Sequence, residues 1–123
     1  MAFLTDRKRA SGMGSAKSGA EHHWNMIVSS AALLILVPLF VFTFGPMLGQ
    51  PHEVVAEYFS RPFPAILTGL TITAGFIHFK NGAQVAIEDY THGLTRNILI
   101  IAVTCISYAA IATGLFALAR MAL

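Results

Sequence analysis

Charged positions in this chain fall in a few short stretches, and between them run three apolar blocks: residues 25–51, 62–79 and 97–119 contain no Asp, Glu, Lys or Arg. Each reaches the roughly 18 to 20 residues that a helix needs to cross hydrocarbon. The pattern predicts an all-α membrane protein with three transmembrane helices, at about 23–48, 62–88 and 94–119, forming one transmembrane domain over residues 1–123. Pro38 lies inside the first span and predicts a kink there, and Gly45-Pro46 and Gly49-Gln50-Pro51 end it. In residues 52–60, helical spacing puts Val54, Val55, Tyr58 and Phe59 on one side and Glu53 and Glu57 on the other. That predicts a short amphipathic helix at the outer surface. Pro62 and Pro64 suit the first turn of the second span, and Thr91-His92-Gly93 makes the turn into the third.

Composition agrees with the pattern: 55% hydrophobic, 11% charged and mean hydropathy +0.65 exclude an ordinary soluble domain. Residues 1–22, rich in Ser, Gly, Ala, Lys and Arg, read as a flexible polar arm without the apolar core of a secretory signal. Three spans put the termini on opposite sides. Arg7, Lys8, Arg9, Lys17, Lys80 and Arg96 fall toward one side, against Arg61 and Arg120 on the other. By the positive-inside rule the arm and the Asp89-Tyr90 end face the cytoplasm and the C-terminus the periplasm. Asp6 and the shortness of the chain favour a bacterial inner membrane over a mitochondrial one. Cys105, in mid-span, is expected to be a buried structural thiol.

The chemistry is concentrated in the second span. Thr71, Ala74, Gly75, His78 and Gly82 recur at three- and four-residue spacings and so share one stripe. An imidazole at membrane depth without a partner costs several kcal/mol, of order 2 to 7, so a histidine there usually pairs, conducts protons or binds a cofactor. Two readings fit the stripe: a helix-packing groove of small residues, or a flat macrocycle over Gly75 and Gly82 with His78 Nε2 on its metal. Lys80 offers a further choice. Either the bilayer ends there, or the helix continues with Lys80 and Asn81 facing a partner or snorkelling. His22, His23, His52 and His92 lie at helix ends or in connections, so a bis-histidine haem needs its second ligand from another membrane chain.

Asp89 follows His78 by eleven residues, which on a helix leaves it about 20° away and roughly 16 Å nearer the cytoplasm. With Tyr90 it offers a phenol donor beside a carboxylate, the pair a quinone carbonyl needs when it is reduced. The alternative is an aromatic-belt residue next to a helix-terminal charge.

His78, then Gly82, then Asp89-Tyr90, within the second of three spans, resembles the small hydrophobic membrane-anchor subunit of succinate dehydrogenase. The arm, with Gly-Ser-Ala-Lys-Ser-Gly-Ala-Glu-His-His-Trp entering the first span, is also similar to that family. The resemblance implies that His78 is an axial ligand of a haem b shared with a larger cytochrome b anchor subunit. It also implies that Tyr90, helped by Asp89, lines a ubiquinone pocket, and that an iron–sulfur subunit and a flavoprotein subunit deliver the electrons of succinate. Many relatives carry an arginine early in the first span that meets haem propionate. Residues 27–32 hold none, which leaves propionate neutralisation to the partner chain or to His22 or His23. The Ser-x-x-His-Arg and Gly-x-Arg-His motifs of the larger anchor subunit are missing. Membrane lipid is the expected medium, with no nucleic acid partner. A quinol:fumarate reductase anchor, or a non-redox three-helix assembly or pore protein, stays open as an alternative.

Overall fold

The computed structural model describes residues 4–14 and 18–122. It contains α1 (Asp6–Ser11), α2 (Ser18–Phe44), a 3-10 turn (Gly45–Met47), α3 (His52–Ser60), α4 (Pro62–Tyr90) and α5 (Gly93–Ala122), and no strand among the described residues. Three of these helices, α2, α4 and α5, are long and apolar enough to span a membrane. The fold is that of an all-α, multi-pass membrane protein.

Local sequence explains the element boundaries. Thr5 caps α1 by accepting from the Lys8 amide. Pro62 stands in the first turn of α4, where a missing N–H costs nothing. Only Thr91 and His92 separate α4 from α5, and Gly93 takes φ 64°, a left-handed conformation that turns the chain back. α2 runs without interruption through Pro38, which leaves the Leu34 carbonyl without its helical donor.

The polar arm differs from the sequence expectation. Asp6–Ser11 is helical, and α2 starts at Ser18, so His22, expected in the arm, and His23, expected at the start of the span, both lie inside the helix. Residues 1–3 and 15–17 of the arm lie outside the described residues. A helix start at Ser18 follows from Ala20, Glu21 and the absence of a breaker after Gly19.

α4 is the central helix, packed against α2 and α5, and α3 packs against α5 and α4. The closest approach uses small residues. A β-carbon at Gly114 would lie 3.2 Å from Ile72 Cδ1, and one at Gly69 would lie 3.2 Å from Leu115 Cδ2, so each helix offers a notch to a branched side chain of the other. Gly114→Val is therefore expected to weaken the α4–α5 pair by about 1 to 3 kcal/mol. The check is the thermal midpoint of the detergent-solubilised protein, which should fall.

The end of the bundle that carries α3 holds the apolar core. Phe59 of α3 is buried, with Leu67 and Leu118, and its ring lies 6.2 Å from Phe44. α3 is amphipathic as expected, with Glu57 outward on Arg61 at 3.2 Å, except that Val54 is exposed. Two hydroxyls of α4 bond back to their own helix, Thr71 to the Leu67 carbonyl and Thr73 to the Gly69 carbonyl at 2.7 and 2.8 Å, whereas the buried Thr68 and Ser107 hydroxyls find no partner among the described residues. Cys105 corrects an expectation: it is exposed, on the outward side of α5, with Ile101 and Ile106. A mid-span cysteine looks buried from sequence because the apolar block has no polar face to tell lipid-facing from protein-facing positions.

Candidate functional site

α4 does not end at Lys80. It continues as one helix to Tyr90, which holds His78, Asp89 and Tyr90 on a single rigid element. α2 packs against it antiparallel: Met26 meets Gly82, Ser29 meets His78, and Phe40 lies in a hollow with Gly75 and Thr71. The sequence stripe is thus the face that α4 turns toward α2.

His78 is half-buried, and its Nδ1 stands 3.0 Å from Oγ of Ser29, a buried residue of α2. Ser29 Oγ also lies 3.0 Å from the Met26 carbonyl oxygen, to which it donates. Nε2 makes no hydrogen bond among the described residues. Nothing in the sequence singles out Ser29. A serine in an apolar span most often bonds its own helix, and only the register between α2 and α4 shows that this one faces a histidine.

The two glycines of the stripe differ. A β-carbon at Gly75 would meet nothing within 4 Å, whereas one at Gly82 would touch Met26 Cε at 3.9 Å. Gly75 lines a hollow of about 360 Å³ with Phe40, Thr71, Ile72, Phe76 and Phe79. Toward the N-terminal end of α2, a groove of about 750 Å³ is lined by His22, His23, Met26, Ile27 and Val85 among others. Helical position puts both openings on one side of the α2–α4 pair. Both readings of the stripe are therefore partly realised: Gly82 packs a helix, and Gly75 leaves open space.

Lys80 and Asn81 turn to the opposite side. With Asn25, Ser29 and Tyr108 they line a third groove of about 580 Å³, and Asn81 is buried. Among the described residues, no three of His, Cys, Asp and Glu converge as a metal site. His52, at the start of α3, shares a hollow with Arg120, and His92 is exposed in the α4–α5 turn.

At the C-terminal end of α4, Asp89 and Tyr90 are both exposed, Tyr90 at 86%. The local polar network is built on their neighbour. Glu88 accepts from Gln84 Nε2 at 3.0 Å and pairs with Arg96 of α5 at 3.4 Å. Glu88 and Arg96 are functional-end residues that hydropathy and motif spacing miss; the four-residue step from Gln84 to Glu88 is the one signal for them in the sequence. The network ties α4 to α5 and leaves the Asp89-Tyr90 pair pointing away from this chain.

Comparison with known proteins shows what the chain as a whole is similar to. The family model described as succinate dehydrogenase/fumarate reductase transmembrane subunit matches residues 2–116. The succinate dehydrogenase hydrophobic membrane anchor subunit of Paracoccus denitrificans is 44% identical over 123 residues, covering 100% of this chain and 95% of that protein. The subunits of the same name from Rickettsia typhi and Rickettsia prowazekii are 32% and 31% identical over 103 residues, covering 80% of this chain and 81% of each. No solved structure matches the chain.

Proposed function

The chain belongs to the succinate dehydrogenase/fumarate reductase transmembrane-subunit family, as a membrane anchor subunit of the oxidoreductase complex, and on that premise we propose that it serves two sites in succinate:ubiquinone oxidoreductase. In the first, His78 holds the iron of a haem b through Nε2, with a larger cytochrome b anchor subunit giving the opposite ligand. In the second, Tyr90 and Asp89 help form the ubiquinone-reduction pocket with the neighbouring subunits. The observation that carries the reading is the state of the His78 ring: Nδ1 is engaged by Ser29, and Nε2 is unpartnered among the described residues.

The donor set suits haem. A neutral imidazole is a common axial ligand, and a haem held by two of them exchanges one electron reversibly between ferric and ferrous iron. Gly75 leaves room for a flat ring, while Gly82 keeps Met26 of α2 close enough to close the site from the cytoplasmic side. His23, with His22, lines the groove on that same side of the helix pair and would meet the carboxylates at the ring's edge. Residues 27–32 contain no arginine for that purpose.

At the cytoplasmic end the exposed Tyr90 hydroxyl is free to donate to a quinone carbonyl, and the Asp89 carboxylate beside it can orient the phenol and pass protons from water. An iron–sulfur subunit and a flavoprotein subunit would bring succinate's electrons to that end. Three relatives bear the name succinate dehydrogenase, which favours succinate oxidation over fumarate reduction. A purified complex with a low-spin Soret band supports the reading; a colourless, fully assembled complex returns the chain to a non-redox anchor.

The same reading places the complex in a bacterial inner membrane with the N-terminus inside. Six basic residues flank the cytoplasmic ends of the spans and two the outer ends. A reporter fused after Leu123 is expected to be active only in the periplasm. Activity confined to the cytoplasm would reverse the topology and move Tyr90 to the wrong side for a soluble electron donor.

A further inference from the structure

We infer that Ser29 is a positioning residue for His78: its hydroxyl orients the imidazole, and by accepting a hydrogen bond from Nδ1–H it tunes the electron affinity of the metal bound at Nε2. The inference rests on the proposal that His78 is a haem ligand and adds a residue from a different helix to that site. Three atoms carry it. Ser29 Oγ lies 3.0 Å from His78 Nδ1 and 3.0 Å from the Met26 carbonyl, and Ser29 is only 8% exposed, so water does not replace either partner.

A hydroxyl has one proton and can both donate and accept. It therefore fits either tautomer of His78. When Nε2 keeps its proton, Ser29 donates to Nδ1. When Nε2 gives its lone pair to a metal, the ring proton must sit on Nδ1, and Ser29 accepts it while its own proton points to the Met26 carbonyl. The geometry holds a partner for each role, so ligation turns one O–H bond and moves no backbone. A methyl group in place of the hydroxyl leaves the Nδ1–H without an acceptor in a buried site, which disfavours the ligating tautomer.

An acceptor on Nδ1–H makes the imidazole more basic, and a more basic ligand favours the ferric state. The hydrogen bond also fixes the ring's rotation about its bond to the metal, which sets the angle between the two axial ligand planes. Ser30, the next residue, bonds the same Met26 carbonyl at 2.8 Å but has no contact with His78, so adjacency in sequence does not confer this role.

The experiment uses the whole complex purified with Ser29→Ala and with Ser29→Thr. Ser29→Ala is expected to retain haem but shift its ferric–ferrous balance at a fixed ambient potential about two- to tenfold toward ferrous. A tenfold shift is about 59 mV in midpoint potential for one electron. The low-spin electron paramagnetic resonance signal should shift and broaden as the ring loses its fixed rotation. Ser29→Thr keeps the hydroxyl and should keep both the potential and the signal near wild type. A Ser29→Ala complex with unchanged potential and signal would overturn the assignment, and so would equal changes in the two variants, which would mark packing as the cause. A wild-type complex with no low-spin haem would instead overturn the haem proposal itself.

Discussion

His78→Tyr and His78→Ala complexes are expected to lose the low-spin haem spectrum, with the Soret and α bands of a bis-histidine centre absent or converted to a high-spin form. The placement of the five histidines is the reason. His22 and His23 stand near the N-terminal end of α2, His52 at the start of α3, and His92 in the α4–α5 turn, so none can move into the depth that His78 occupies without breaking a helix. No second ligand is held in reserve. Tyrosine keeps a ring of similar bulk beside Ser29, which separates loss of the ligand from loss of packing. Optical spectra of the purified complexes give the readout, with succinate oxidation by a soluble artificial acceptor as the check on assembly. A bis-histidine spectrum unchanged in His78→Tyr defeats the assignment.

The architecture is legible in the sequence because hydrocarbon imposes a coarse rule: a span must be long, apolar and helical. Pro62 and the Thr91-His92-Gly93 turn mark boundaries that the structure keeps within a few residues. What hydropathy does not encode is which side of an apolar helix faces protein. Cys105 is exposed against expectation for that reason, and the Gly75–Gly82 stripe, uniform in sequence, is divided in the fold: one glycine packs on Met26 and the other faces open space. In the arm, a polar composition hides a local signal. Thr5 and Asp6 make an N-terminal cap, and α1 follows it.

The candidate site divides along the same line. His78, Asp89 and Tyr90 are visible in the sequence because they are chemically exceptional residues at a helical spacing on one element. Ser29, Glu88 and Arg96 are not, because each acts across a helix boundary. Ser29 depends on the α2–α4 register, and Arg96 reaches back over the turn to Glu88 at 3.4 Å. Residues whose role lies in a contact between elements need the fold before they can be named.

Replacing Tyr90 with phenylalanine should lower succinate-to-quinone turnover by about ten- to a hundredfold, while electron transfer from succinate to a soluble artificial acceptor is retained. The substitution removes one hydroxyl and keeps the ring, so whatever belt or packing contribution the ring makes is preserved. If that hydroxyl donates to the quinone carbonyl, its loss removes a hydrogen bond in a partly enclosed site and a group through which the reduced quinone gains a proton. The geometry in this chain leaves the hydroxyl available. Tyr90 is 86% exposed, and the acidic side chain engaged locally is Glu88, bonded to Gln84 and Arg96, which leaves Asp89 uncommitted beside it. Asp89→Asn should act in the same direction and more weakly, since the amide can still orient the phenol but no longer relays a proton. Asp89 also lies on the His78 side of α4, so its variant is read for the haem spectrum as well as for turnover; Tyr90, about 100° further round, should leave that spectrum alone. The two assays run side by side on Tyr90→Phe separate the roles. Loss in quinone reduction alone places the phenol in the quinone pocket, equal loss in both assays makes it a residue of subunit assembly, and no loss in either reduces it to an interfacial aromatic.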